Sequence, residues 1–335
     1  LIPGGWVVLV MTRWDMDDVA GRLLPREWNG DSGEFECRDG KRWRVLCIQA
    51  KCETGTDPLG RKPGEYLAPE WFDPGHWSQF EANEILWNSL YQQRPQPLGG
   101  AFFKEEQLLV LSQPGTEGRK PIYKPVPMPR YIDATLVVID CASKDSNEHD
   151  GVGATYFGVS LHGTTPHKLY VLDWDYTQIS SNLLSAWLPS IFDRCQALAV
   201  ECVARMGSLG AWIEDKAGGI VLLQHAMVLG GRVTMDRRPE TFARPGYAAR
   251  PIDSKLTSLG KEWRNINASA PVSRGEVKFT ELAFTKTSDF KGVVANHQWN
   301  QVIGFRTGVK QMANDDLDDT FCYGVAIALG NSEGF

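Results

Sequence analysis

Short apolar runs alternate with polar, turn-rich segments along most of the chain, the pattern of a mixed α/β protein. The clearest run is TLVVIDC, Thr135–Cys141. It is rich in β-branched residues and bounded by Pro129 and a Ser/Asp/Asn-rich segment, which predicts a buried strand with Asp140 at its end. Further strands are predicted at Ala154–Ser160 and Lys168–Asp175, with short polar connections that suit antiparallel hairpins. A helix over Ser181–Val203, broken at Pro189, comes next. Strand Ala211–Asp215, helix Gly219–Val228 and a short strand at Arg232–Met235 follow. Lys255–Arg264 reads as helix, Glu276–Glu281 as extended, and Asp315–Leu329 as a final helix with acids in its first turn.

Upstream, Trp6–Met11 (WVVLVM) has the pattern of a buried strand, and Asp15 or Asp17 could cap a helix ending before Pro25. Trp43–Ala50 reads as a strand, Cys52–Pro63 as a loop and Trp77–Gln92 as an amphipathic helix. Then the pattern breaks. Pro95–Gly100 is turn-rich, and five prolines fall within Ser112–Arg130, so 98–130 is expected as a linker between a first domain and a second that starts near Tyr131. In the second domain, three hairpinned strands precede alternating helices and strands. That is the order of an RNase H-like mixed sheet flanked by helices.

Charged residues at 23% and apolar residues at 42% are ordinary for a globular protein. No apolar run approaches membrane-spanning length, and no secretory signal pattern opens the chain, so an intracellular protein is expected. The seven cysteines are dispersed without a CxxC pair, which argues for reduced thiols rather than disulfides or a zinc site. The net charge of −6 would argue against nucleic acid, but its distribution changes the picture. From Gly231 to Lys310 there are 14 Lys/Arg against seven acids. A basic segment in an acidic chain suits either a phosphate-contacting surface or a solvated face.

Three acidic positions then stand out. Asp140 closes the first strand, Glu214 and Asp215 close AWIED, and NDDLDD (Asp315, Asp316, Asp318, Asp319) opens the last helix. In a mixed sheet these places can converge. Crowded carboxylates repel unless cations neutralise them, and oxygen-only ligands favour Mg²⁺ or Mn²⁺ over zinc. Two such ions about 3.5–4 Å apart would serve phosphodiester cleavage. Each acid also has a local use: Asp140 as a loop cap, Glu214 in a pair with Lys216, Asp315 and Asp316 at a helix start.

Several blocks resemble the large terminase subunit of tailed bacteriophages, the motor-nuclease that packages DNA. MTRWDMDDVAGRLL (Met11–Leu24) is similar to the segment around that family's third ATPase motif. DPLGRKPGEYLAPEWF (Asp57–Phe72) and LYQQRPQPLGGAFF (Leu90–Phe103) resemble the segments closing its ATPase domain. WIEDKAGGIVLLQ (Trp212–Gln224) and NDDLDDT (Asn314–Thr320) resemble its nuclease motifs. Between Met235 and Gln311 little matches beyond the placement of Lys and Arg.

The resemblance implies an RNase H-like, two-metal DNA endonuclease domain at 131–335, preceded at 1–97 by the C-terminal remnant of a P-loop-type ATPase domain. Asp140, Glu214 and Asp319 would be catalytic. The metal ligands would come from Asp140, Glu214, Asp215, Asp316 and Asp319, with Mg²⁺ or Mn²⁺ as the ions. Asp318 occupies a place usually apolar in the family, and Asn314 one that is often His. Asp150 is a weaker outer-shell candidate. Lys216, Lys255, Lys261 and Arg264 are candidate DNA contacts, and Thr12 and Arg13 a remnant of the nucleotide-sensing segment.

The implied partners are double-stranded DNA, the phage portal and the small terminase subunit, in the cytoplasm of the bacterial host, with no membrane. Walker motifs are absent, and GTDPLGRK (Gly55–Lys62) has Arg61 where a P-loop lysine belongs. ATP is therefore expected to act only in an intact full-length protein, this sequence being a fragment or a truncated prophage gene. Another RNase H-like nuclease, of transposase, integrase or resolvase type, and a non-catalytic packaging-motor assembly module are the alternatives.

Overall fold

A computed structural model describes residues 5–14, 18–25, 27–81, 86–95, 102–116, 119–141, 151–162, 165–179, 183–216, 218–229, 245–305 and 315–330. These form two compact units, one within 5–95 and one within 102–330.

In the first unit Asp18 caps helix α1 (Val19–Leu23), its carboxylate accepting the Gly21 N–H at 2.8 Å. The caps read from sequence, Asp15 and Asp17, lie outside the described residues. A hairpin follows, β1 (Gly33–Glu36) with β2 (Arg42–Val45), then α2 (Pro74–Glu81) and a π-helical turn at Trp87–Tyr91. Trp77 and Trp87 are buried with Ala50, and Tyr66, Phe72, Phe80 and Tyr91 pack around them. The LYQQRP block has a visible local job. Gln92 exchanges two hydrogen bonds with the Lys51 backbone, and the Gln93 side chain accepts the Arg13 N–H. Trp6–Met11 is not the buried strand expected: no strand among the described residues pairs with it, and Trp6 and Val10 are 81% and 88% exposed. An apolar β-branched run becomes a strand only where a neighbour takes up its backbone groups.

The second unit opens with α3 (Glu105–Leu108) and a hairpin of β3 (Val110–Gln113) and β4 (Ile122–Lys124). Then come β5 (Ala134–Cys141), β6 (Val152–Val159), β7 (Leu169–Thr177), α4 (Leu184–Glu201), β8 (Ser208–Ile213), α5 (Gly218–Val228) and β9 (Ala249–Pro251). Helices α6 (Ser254–Thr257) and α7 (Lys261–Ser273), strand β10 (Val277–Phe279), α8 (Glu281–Thr285), hairpin β11 (Ser288–Phe290)–β12 (Val293–Ala295), α9 (His297–Gly304) and α10 (Asp316–Leu329) complete it. One six-stranded mixed sheet runs in the order β10-β7-β6-β5-β8-β9. Strands β5, β6 and β7 are an antiparallel meander; β8 lies parallel to β5, β9 to β8 and β10 to β7. This is the RNase H-like order read from the sequence, with β10 added at one edge.

Every residue of β5 and β6 is buried, because helices cover both faces. On one face Val137, Ile139, Tyr156 and Leu172 pack with Leu188, Ile191 and Phe192 of α4 and Leu222 of α5. Pro189 does not break α4 as expected; the apolar stripe facing the sheet holds the helix together across the missing N–H. On the other face lies α10. A Cβ on Gly324 would stand 2.1 Å from the Phe157 ring, so only glycine lets this helix sit on β6. Lys255–Arg264 is two helices rather than one, with Gly260 between them. Glu276–Glu281 supplies β10, and Arg232–Met235 lies outside the described residues.

The Pro-rich segment expected as a linker belongs, from Phe102 to Arg130, to this unit. Phe103 and Leu108 are fully buried. The Lys278 ammonium donates to the carbonyls of Gln107 and Leu109 at 2.7 and 2.9 Å. Val126 donates to the Phe279 carbonyl at 2.9 Å, alongside β10. Prolines bar a helix or a central strand here but leave an edge strand open.

Asp133, just before β5, gathers three donors. Oδ2 accepts the Leu161 and His162 N–H groups, each at 2.8 Å, and Oδ1 accepts from Arg205 at 3.1 Å. The His162 amide, then the Leu161 amide and Arg205, hold its carboxyl below the usual range against the opposing effect of burial. Asp133→Ala is expected to cost about 1–2 kcal/mol in urea unfolding at pH 7. Because the folded value is depressed, that advantage is present above ~pH 4 and is lost as pH falls through the folded value. Wild type and variant should therefore converge in acid; a gap independent of pH would contradict a role for the ionised carboxylate.

Candidate functional site

Parallel pairing sets the first two acids side by side. Ile139 of β5 is in register with Ile213 of β8, and the Glu214 N–H donates to the Ile139 carbonyl at 3.2 Å. Asp140 and Glu214 are thus the adjacent ends of neighbouring strands, and both are buried. Across from Asp140 on β6 is Gly153. A Cβ there would come within 3.2–3.3 Å of Leu317 and the Asp316 backbone, so this glycine admits the first turn of α10 beside Asp140.

That first turn carries the acidic cluster. Asp318 and Asp319 are buried, their N–H groups bonded to the Asp315 carbonyl. Asp316 accepts the Tyr176 hydroxyl at 2.8 Å from β7. Asp319 lies 3.3 Å from Arg264 and 3.6 Å from Lys261, which also pairs with Asp315. Asp318 turns instead to α7, accepting from Asn265 at 2.8 Å. Only that one oxygen is satisfied: Asp318 Oδ1 is buried without a hydrogen-bond partner, and burial pushes the carboxyl well above the usual range. Lys216 donates to Glu214 Oε1 at 2.8 Å and to the Thr257 carbonyl at 2.9 Å.

These carboxylates sense one another. Burial, then Asp319, Glu214 and Asp316, push the Asp140 carboxyl well above the usual range. Burial also raises Asp319, to about 6, although Arg264 and Lys261 pull it down. Burial would raise Glu214 too, but the hydrogen bond with Asp140 and the contact with Lys216 outweigh it and hold it low. Four acids on two strands and one helix thus form one electrostatic unit.

Asp140, Glu214, Asp316 and Asp319 are therefore brought together. Asp215 is not: it is exposed beyond Glu214, where the chain turns away from the strand. Lys216 and Lys261 pair with the acids, and Lys255 is exposed on α6. Arg264 does not present itself to a phosphate as expected; its side chain is only 9% exposed. Thr12 is exposed, whereas the Arg13 side chain is buried and tied to Asp18 at 2.9–3.0 Å. Asp150 and Asn314 lie outside the described residues. Two residues escaped the sequence reading. Tyr323 is four residues after Asp319 on the same helical face, a spacing that could have flagged it. Tyr176 carries no such signal, since only strand pairing brings it here.

Among the described residues, no group of three or more His, Cys, Asp or Glu side chains is arranged as it stands to hold a metal ion. The donor set nevertheless fits a hard cation in chemistry and charge. It is oxygen only, and Asp319 Oδ1 is buried without a hydrogen-bond partner.

No protein-family model matches the chain, and no curated protein matches it. Among solved structures, the chain is similar to the large terminase from a thermophilic bacteriophage, at 10% identity and a TM-score of 0.44, over 78% of this chain and 53% of that one. The ADP complex of that terminase matches at 11% identity and a TM-score of 0.43, over 78% and 54%. The chain spans about half the length of these structures. No helix among the described residues is long and apolar enough to cross a membrane.

Proposed function

We propose that the second unit is a divalent-metal-dependent DNA endonuclease, the cutting domain of a phage DNA-packaging terminase. The observation that carries this reading is the convergence of buried Asp140, Glu214 and Asp319, with half-buried Asp316, into one cluster in which three neighbouring acids oppose the ionisation of Asp140. Such an arrangement is costly to fold and is explained by a cation that it serves. Asp140, Glu214 and Asp319 would hold Mg²⁺ or Mn²⁺, with Asp316 beside them. When bound, such ions supply a nucleophilic water at neutral pH and charge at the leaving oxygen of a phosphodiester.

The protein's own residues do the rest. Tyr176 orients Asp316, and Lys216 holds Glu214 against the end of β8. Lys216 and Lys261, 53% and 37% exposed, are placed to meet phosphates once a cation takes over their carboxylates. Double-stranded DNA, the portal and the small terminase subunit are the partners under this reading, in the host cytoplasm, with ATP acting only on an intact full-length motor.

Plasmid nicking or linearisation by the purified chain in Mn²⁺ or Mg²⁺, and its loss in EDTA, tests the proposal. Cleavage undiminished by EDTA would overturn the metal assignment. The same cations favour one other reading, a non-catalytic assembly module whose acids form an ion-paired core. Under it, Mn²⁺ leaves both DNA and the melting temperature unaffected.

A further inference from the structure

Arg264 enters the site from α7 and touches two elements of it. Its guanidinium lies over the ring of Tyr323, 5.0 Å from the centroid, and donates from Nη1 to that hydroxyl. Its Nη2 lies 3.3 Å from Asp319 Oδ1. The Tyr323 hydroxyl in turn donates to Glu214 Oε1 at 3.2 Å. A continuous chain of contacts thus runs from the carboxylate on α10, through one planar cation and one phenol, to the carboxylate at the end of β8.

This geometry is wrong for a phosphate contact and right for a brace. Both Nη atoms point at protein groups, and the side chain is only 9% exposed. A guanidinium is always charged, rigid and able to bond in two directions in one plane, which a lysine ammonium is not. The Tyr323 ring is almost wholly buried, so its hydroxyl has little freedom to swing. We propose that Arg264 and Tyr323 are positioning residues that fix Asp319 and Glu214 relative to each other for a divalent cation. The inference rests on the metal-dependent reading above. It assigns a separate role to Lys261, one turn earlier on α7 and 37% exposed, which is paired with Asp315 and Asp319 here and would turn to DNA once a cation takes over Asp319.

Groups that orient metal ligands typically matter about 10–100-fold in metal affinity or activity. The test uses the full chain as wild type, Arg264→Gln, Arg264→Lys, Tyr323→Phe and Asp140→Asn. Mn²⁺ affinity is read by calorimetric titration, and cleavage is resolved into kcat and KM for DNA at several salt concentrations. Tyr323→Phe is expected to weaken Mn²⁺ binding about 10-fold and Arg264→Gln about 10–100-fold. Arg264→Lys, which keeps the charge but loses the fork, should fall between wild type and Arg264→Gln. In all three, kcat should drop while KM and its salt dependence stay at wild-type values.

Unchanged Mn²⁺ affinity with a raised KM and a shallower salt slope would make Arg264 a DNA contact and overturn the inference. Tyr323→Phe removes one oxygen from a packed ring, so it decides the matter even if the Arg264 variants fail to fold. Failure of the underlying reading looks different: wild type binds no Mn²⁺, or Asp140→Asn binds it as wild type does. Either result would remove this inference too.

Discussion

Asp140→Asn is expected to lower Mn²⁺-dependent cleavage on the order of 10³-fold and, in the metal-free protein, to raise the melting temperature. The first effect follows from losing a charge at the centre of the cluster, on the scale seen when an essential electrostatic group is removed. The second follows from the same charge. Asp140 is buried with Asp319, Glu214 and Asp316 all opposing its ionisation, and an amide of equal shape escapes that repulsion. Relieving a strained functional site typically stabilises by about 0.5–2 kcal/mol. Mn²⁺ should stabilise wild type and do little for the variant. Thermal melts with and without Mn²⁺, beside a plasmid assay, check both halves. A variant that cuts normally, or is less stable without metal, would contradict the role given to Asp140.

Gly324→Ala is expected to destabilise the protein by about 3 kcal/mol in urea unfolding, at the upper end for overpacking a core. A methyl group would have to occupy space 2.1–2.2 Å from two atoms of the Phe157 ring, which is itself fully buried. The helix must then lift from β6. Since that helix carries Asp316 and Asp319, Mn²⁺ affinity should fall as well, although Gly324 lies outside the acidic turn. Phe157→Leu in the same chain should recover part of the loss, because the two positions share one space. Full additivity of the two substitutions would mean that the clash is relieved elsewhere.

What the sequence revealed divides along physical lines. Strand β5 was legible because burial on both faces demands an unbroken apolar run, and Asp140 interrupts it at its end. Glu214 was legible for the same reason on β8. The acidic turn was legible as a cluster, and one-turn spacing singled out Asp316 and Asp319 within it, but where each carboxylate would face was not. Nothing in NDDLDD says that Asp318 faces Asn265 while Asp319 faces the strand ends; the rotation of α10 against the sheet decides that. Arg264 read as a surface cation because charge counting is blind to which face of α7 packs inward. Trp6–Met11 read as a buried strand because apolar pattern measures the need for a partner, not its presence. The prolines misled in the opposite direction: Pro189 falls inside an intact helix held by its packed stripe.

The Pro-rich approach to β5 has one more consequence. Val126 turns its N–H inward to Phe279, alongside the outer edge of β10. In an extended strand the residues on either side of it would direct their N–H groups outward, and here they are Pro125 and Pro127. Along this stretch the sheet therefore presents no amide hydrogen to a further strand. An open sheet edge invites pairing with other chains, and this one ends in a segment that has no outward amide donor to offer them.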